Sequence, residues 1–296
     1  MLLGYGRPQG GTWSVNTANG AAIVSDTAQL GDGRPDTLTS FTWITGTQNT
    51  SSIFRLRYDW STAIVPGLVG LMGMSLPAGT KVSVAFRRPS DTAGTYPYSP
   101  SMAAASQRAI AGIHGGRNAW LRVNTGASAV SGCEIQIWND VNGVAAIAAA
   151  APFTTGEAVI AQAAEVQVAA GWTLTWGDPP QPNMSSSGQG YSAYVPPPRR
   201  TFSFRFPVDD QNAYFGNTSA SALDYEQVIA LMDRAQPCVY VPRYLDDSGA
   251  FSAQLMHRTA IIGVATKVPQ LGQKSGPYFD GGGGVVLEYP VPAPAV

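Results

Sequence analysis

The side chains able to do chemistry in this sequence are few, and its acids come in close pairs. Asp32 and Asp36 bracket Gly-Arg-Pro in "DGRPD", and Asp209 and Asp210 are adjacent. Two carboxylates at a fixed separation are what hydrolysis of a glycosidic bond requires. Both pairs sit beside Gly, Pro or Asn, where Asp bonds its own backbone and shapes a turn, so turn formation is the reading adopted for each. The 32–36 loop carries calcium-type oxygen ligands, but its spacing is not that of an EF-hand, and no metal is assigned. The only histidines are His114 and His257. "IHGG" at 113–116 superficially resembles a glycine-rich oxyanion loop, yet no G-x-S-x-G elbow accompanies it. His257, in "QLMHRTAIIG", is placed at the mouth of a strand. "DGGGG" at 280–284 lacks the Lys-Ser/Thr and the helix of a phosphate loop and runs into "VVLEY", so a hairpin loop is expected. Cys133 and Cys238 are far apart, match no metal spacing, and are expected as buried thiols. These readings leave no catalytic residue, no metal and no cofactor, and the chain is expected not to be an enzyme. The remaining feature is a set of loop aromatics, Tyr96, Tyr98, Tyr191 and Tyr194, among Ser, Gly and Pro; such rings serve contacts to protein subunits or to carbohydrate.

The elements that must position these residues are strands. Only 12% of the 296 residues are charged, while 33 Gly and 22 Pro supply many turns. A net charge of −1 gives no footprint for nucleic acid or anionic lipid, and favours association between copies. No 18-residue apolar run is present, so no membrane insertion is expected. The N-terminus has no secretory pattern, and the chain is expected to be made in the cytoplasm.

Period-two alternation dominates. In "IFRLRYDW" Phe54, Leu56, Tyr58 and Trp60 share one face and Arg55, Arg57 and Asp59 the other. "KVSVAF", "CEIQI" and "WTLTW" repeat the pattern. Half-buried antiparallel strands at this spacing predict a β-sandwich over 1–176, interrupted at about 88–118 by a loop insertion with a possible short helix in "SMAAASQRAIAG". The Pro/Ser/Gly-rich stretch 177–200 reads as a linker or arm. Residues 201–296 form a second β-rich module, with "TFSFRF" as a strand and a short helix near 222–235 capped by Ser221 with Asp224.

"DGRPDTLTSFTW", "IFRLRYDW", "VPGLVGLMGMSLPAGTKVSVAF" and "CEIQIWND" together resemble the discoidin or galactose-binding-like jelly roll found in virion proteins of tailed bacteriophages. The segment from "DYEQVIALMDRAQPCVYVPRY" to "MHRTAIIGVAT" is similar to the C-terminal part of those proteins. The resemblance covers about two-thirds of the chain; the insertion and the arm have no counterpart in it. It implies a mainly β structural protein of the virion, in the tail tip or baseplate, similar to a distal tail protein. Its partners would be copies of itself in a ring and neighbouring tail proteins. The alternative implication is a carbohydrate-binding module that helps attachment to a host surface glycan. Jelly-roll sugar sites use loops at one end with a charged residue and aromatics, which here would be Arg34, Asp36 and Trp43.

Overall fold

In the computed structural model, which describes residues 1–17, 21–43, 53–91, 105–111, 117–125, 128–144, 147, 152–177, 183–184, 190–191, 199–216, 223–234 and 236–289, the alternating segments are antiparallel strands. Five of them form one sheet in the order Thr12–Val15, Phe54–Ile64, Val130–Val141, Thr80–Arg87, Ala105–Arg108. It faces part of a ten-stranded sheet: Thr173–Trp176, Arg200–Arg205, Gly283–Glu288, Ile261–Lys267, Cys238–Val241, Leu2–Tyr5, Ala158–Glu165, Leu68–Met74, Arg117–Arg122 and Ile110–Ala111. The protein is therefore mainly antiparallel β, built on a β-sandwich.

Register follows from the side chains. Phe54, Leu56, Tyr58 and Trp60 enter the sandwich core with Val82, Val84, Phe86, Cys133, Ile135 and Ile137, and meet Val69, Leu71, Leu121 and Ile160 of the long sheet. A slip of one residue would exchange these for arginines and a glutamate, which fixes the pairing. Gly70 lies opposite Trp120 in the ladder, and a Cβ there would stand 2.3 Å from the indole, so the glycine in "LVGLMGM" makes room for the ring.

The strand Leu2–Tyr5 is the seam of the molecule. It pairs with Ala158–Glu165 of the sandwich on one side and with Cys238–Val241 of the C-terminal module on the other. Leu3 and Tyr5 face the C-terminal core with Phe202, Phe204, Phe206, Tyr240 and the helix residues Val228 and Met232. Leu2 faces the opposite layer, with Trp120, Val159, Val239 and Met256. The segment 172–176, counted with the sandwich from its sequence, pairs instead with Arg200–Arg205 in the C-terminal half of the long sheet.

Several local expectations are corrected. The helix Tyr225–Asp233 starts from Asp224, whose side chain accepts from Gln227 N–H while Gln227 reaches back to Asp224 N–H; Ser221 lies outside the described residues. Two further helices, Gln211–Phe215 and Ala253–Thr259, were not anticipated. Within the 88–118 insertion, Ala105–Arg108 and Ile110–Ala111 are strands, because each finds a sheet edge to join. Arg55 and Arg57 do not face solvent: they are 6% and 2% exposed and converge on the fully buried Glu134, Arg55 at 2.9 Å and Arg57 at 3.3 Å. The two guanidiniums share this one carboxylate, which offsets part of the cost of burying them. Asp209 lies in the strand Val208–Asp210 rather than in a turn. "DGGGG" is a bend between two different sheets and not a hairpin loop, since Tyr278–Asp280 and Gly283–Glu288 do not pair.

Candidate functional site

The "DGRPD" stretch is a corner. Asp32 Oδ1 accepts from Arg34 N–H at 2.7 Å and its Oδ2 from the Thr37 hydroxyl at 2.8 Å, so the turn's own donors occupy both oxygens. Gly33 sits at φ +81°, a left-handed position that a side chain would strain, and donates its N–H to Glu157 Oε2 at 3.0 Å. Glu157 is fully buried and also takes a hydrogen bond from Arg7. Burial pushes its carboxyl up to about 7 against the opposing pull of Arg7. Of the three residues expected to contact a glycan, Arg34 and Asp36 are brought together in an open pair at 3.5 Å. Trp43 is not with them: it is 1% exposed and packs on Phe54 and Phe153 inside the sandwich, so it has no face to offer a ligand. Tyr96, Tyr98 and Tyr194 lie outside the described residues, and Tyr191 is described only as backbone of the short pair Asn183–Met184 with Gly190–Tyr191. His114 is also outside them. His257 is not at a strand mouth but on the helix Ala253–Thr259, buried, with neither ring nitrogen hydrogen-bonded among the described residues; burial lowers its pKa to about 4. Cys133 and Cys238 are separate, buried thiols, each pushed above its ordinary pKa by burial. Among the described residues no three His, Cys, Asp or Glu side chains converge.

A concave site lies elsewhere, at the end of the sandwich where the C-terminal module meets it. It is a groove of about 970 Å³. Its floor is the paired strands Leu2–Tyr5 and Ala158–Glu165, one wall is made by the sandwich segments at 65–67 and 122–125, and the other is reached by Phe251. The turn that carries Phe251 is rigid for a local reason. Asp246 accepts from the N–H and hydroxyl of Ser248 and the N–H of Ala250, Leu245 bridges Phe251, and Ser252 N–H returns to Tyr244 O at 2.9 Å. Those bonds hold the Asp246 carboxyl below its ordinary pKa.

The groove mixes apolar surface with directional polar groups. Phe251 and Val65 are each 40% exposed, well above the burial their types favour. Arg122 is ion-paired to Glu165, with its guanidinium 5.3 Å from the centre of the Tyr244 ring. Burial, with Glu165 beside it, pushes the Tyr244 hydroxyl up to about 12. Tyr5 and Gln162 are a direct cross-strand pair of the floor strands, with their side chains on the face opposite to that of the Leu2–Glu165 pair. Fixed donors and acceptors among aromatic and aliphatic surface are the chemistry of a site that can hold a polar ligand. None of these residues stood out in the sequence. Arg122, Glu165 and Phe251 come from strands and a turn spread over 130 positions, and only their exposure at one sheet end marks them.

No family model matches the chain. Neither does any curated protein. Solved structures give remote similarities. One is CBM32-1 from a family 31 glycoside hydrolase from Clostridium perfringens, 10% identical over 52% of this chain and 96% of that one, with a TM-score of 0.30. Another is CpGH89CBM32-6 produced by Clostridium perfringens, 11% identical over 49% and 94%, with a TM-score of 0.25. A third is TmCBM61 in complex with beta-1,4-galactotriose, 10% identical over 53% and 88%, with a TM-score of 0.24. Scores of this size add nothing to the fold assignment, which rests on the sheets themselves.

Proposed function

We propose that this chain is a non-catalytic binding protein whose ligand is carbohydrate, held in the groove between the sandwich and the C-terminal module. The observation that carries the reading is the composition of that groove. An exposed Phe251 and the half-exposed Arg122–Glu165 pair offer an apolar platform beside hydrogen-bonding groups of both senses. A sugar ring presents the matching surface, a C–H face for the aromatic and hydroxyls for the polar groups. A catalytic role is not proposed: His257 is buried on a helix, and the acids of "DGRPD" are engaged in their own turn. Binding of the full chain to a glycan array tests the reading; no retained glycan of any class would overturn it.

A second reading, assembly into a phage tail as a ring of copies, draws support from a different surface. On and beside the small sheet of Val208–Asp210, Tyr278–Asp280 and Gly272–Ser275, the side chains of Val208, Phe215, Leu271 and Tyr278 are 47%, 37%, 38% and 51% exposed. Apolar surface of this kind is what subunit contacts use. Together with the resemblance of the sequence segments to tailed-phage virion proteins, it motivates sizing the chain by light scattering. A strict monomer that also fails to enter particles when supplied in trans would remove this reading.

A further inference from the structure

Three features of the groove floor and rim restrict what it can take. The first is an interrupted ladder. Met1 and Val166 exchange both backbone bonds, so by antiparallel alternation Ala164 and Gln162 bond toward Leu3 and Tyr5 while the peptide groups of Ala163 and Glu165 turn to the other side. On that side the strand Leu68–Met74 pairs only as far as Ala161, its last bond being Gly67 N–H to Ala161 O at 2.9 Å. The backbone of Ala163 and Glu165 is thus presented to the groove as fixed donors and acceptors.

The second feature is charge. Arg122 is the one cation lining the groove among the described residues, and it is paired with Glu165, the one carboxylate. The glutamate side chain is 58% exposed against 39% for the arginine, so an approaching anion meets the carboxylate first. The third is size: about 970 Å³ stands at the upper end of the range for small-molecule sites, too large for one sugar ring to fill.

We infer that the groove selects an uncharged oligosaccharide of several units over acidic sugars and over single sugars, with Phe251 against one ring and the Ala163–Glu165 edge bonded to hydroxyls. This rests on the carbohydrate reading and specifies it. Glu165 is the discriminator, since it accepts from hydroxyls and repels uronate, sialate and sulfate.

The test is a glycan array spanning neutral, uronic, sialylated and sulfated glycans, followed by titration calorimetry of the full chain with a length series of the best-retained polymer. We expect a neutral glycan to be retained, affinity to rise at least about ten-fold from monosaccharide to tetrasaccharide, and polygalacturonate oligomers to be excluded. Phe251→Ala should lower that affinity by at least about ten-fold with an unchanged melting temperature, because the ring is half exposed. Glu165→Gln should admit polygalacturonate oligomers; their continued exclusion would remove Glu165 as the discriminator. No binding to any glycan overturns the carbohydrate reading itself. Binding that prefers acidic glycans, or is as tight for the monosaccharide, overturns this inference and leaves that reading standing. Tight neutral binding that Phe251→Ala does not weaken overturns the placement in this groove.

Discussion

Acidifying the protein should reveal two buried groups working against each other, Glu157 and His257. Glu157 is fully buried and its carboxyl is raised from 4.5 to about 7. A raised carboxyl keeps its proton longer in the folded chain than in the unfolded one, so its contribution to stability is complete below pH 4.5 and is lost as pH rises through about 7. At roughly 1.4 kcal/mol per unit the change is about 3 kcal/mol. His257 is 6% exposed and lowered from 6.5 to about 4, for burial alone. Its sign is opposite: the neutral ring is favoured in the folded chain, and that stability is present above 6.5 and lost as pH falls through about 4, again by about 3 kcal/mol. The two slopes overlap between pH 4.5 and 6.5 and nearly cancel there.

Urea unfolding of the parent chain, Glu157→Gln and His257→Leu at steps from about pH 8 to about pH 4 separates them. The stability difference between parent and Glu157→Gln should grow in the parent's favour by about 3 kcal/mol on acidification. Arg7 favours the ionised carboxylate and so works against this slope, an effect already contained in the value of about 7. His257→Leu should be at least as stable as the parent at neutral pH, because two ring nitrogens without hydrogen bonds among the described residues are removed, and should gain about 3 kcal/mol relative to it on acidification. A parent-minus-Glu157→Gln difference that shrinks toward low pH would refute the reasoning: it would mean that Arg7 and Gly33 N–H outweigh desolvation and hold the carboxyl below its ordinary range.

Other substitutions follow from the geometry. Gly33→Val should cost about 1–3 kcal/mol, because a β-branched residue is forced to φ +81°. Its Cβ would also press to 3.0 Å from Pro237 Cγ, whereas Asp32→Asn with Asp36→Asn should leave the melting temperature within a few degrees and insensitive to calcium. Phe204→Ala should cost about 3–5 kcal/mol, since the ring is 4% exposed and stacked 5.1 Å from Phe202 in the C-terminal core; full retention of thermal stability would contradict that placement. Gly4→Val should shift the unfolding of both modules together by about 1–3 kcal/mol, because its first added carbon would stand 2.8 Å from Leu68 of the sandwich and 3.1 Å from Val239 of the C-terminal module. Two resolved transitions with only one displaced would show that the shared sheet does not couple them.

What the sequence reveals and what it hides follow from how many faces of a strand carry information. Phe54–Ile64 and Thr80–Arg87 are legible because one face is apolar and the other polar, so the period itself names the core. The same period bears on Trp43, which shares parity with Thr39 and Phe41, all buried; a ring in that series belongs inside, and assigning it to a ligand set it against its own strand. Arg55 and Arg57 show the limit of the rule, since alternation says which residues share a face but not whether that face meets water. The strand Leu2–Tyr5 gives no period at all. All four of its residues are buried, Leu2 in one layer and Leu3 in the other, because it sits inside the ten-stranded sheet with cores on both sides. Its partners lie about 160 and 240 residues along the chain, a separation that no local pattern encodes. The groove inherits this opacity. Its floor exists because that strand takes the bonds of Ala164 and Val166 while the strand Leu68–Met74 stops pairing at Ala161, so the open stretch of backbone in the site is the product of three segments that the sequence keeps apart.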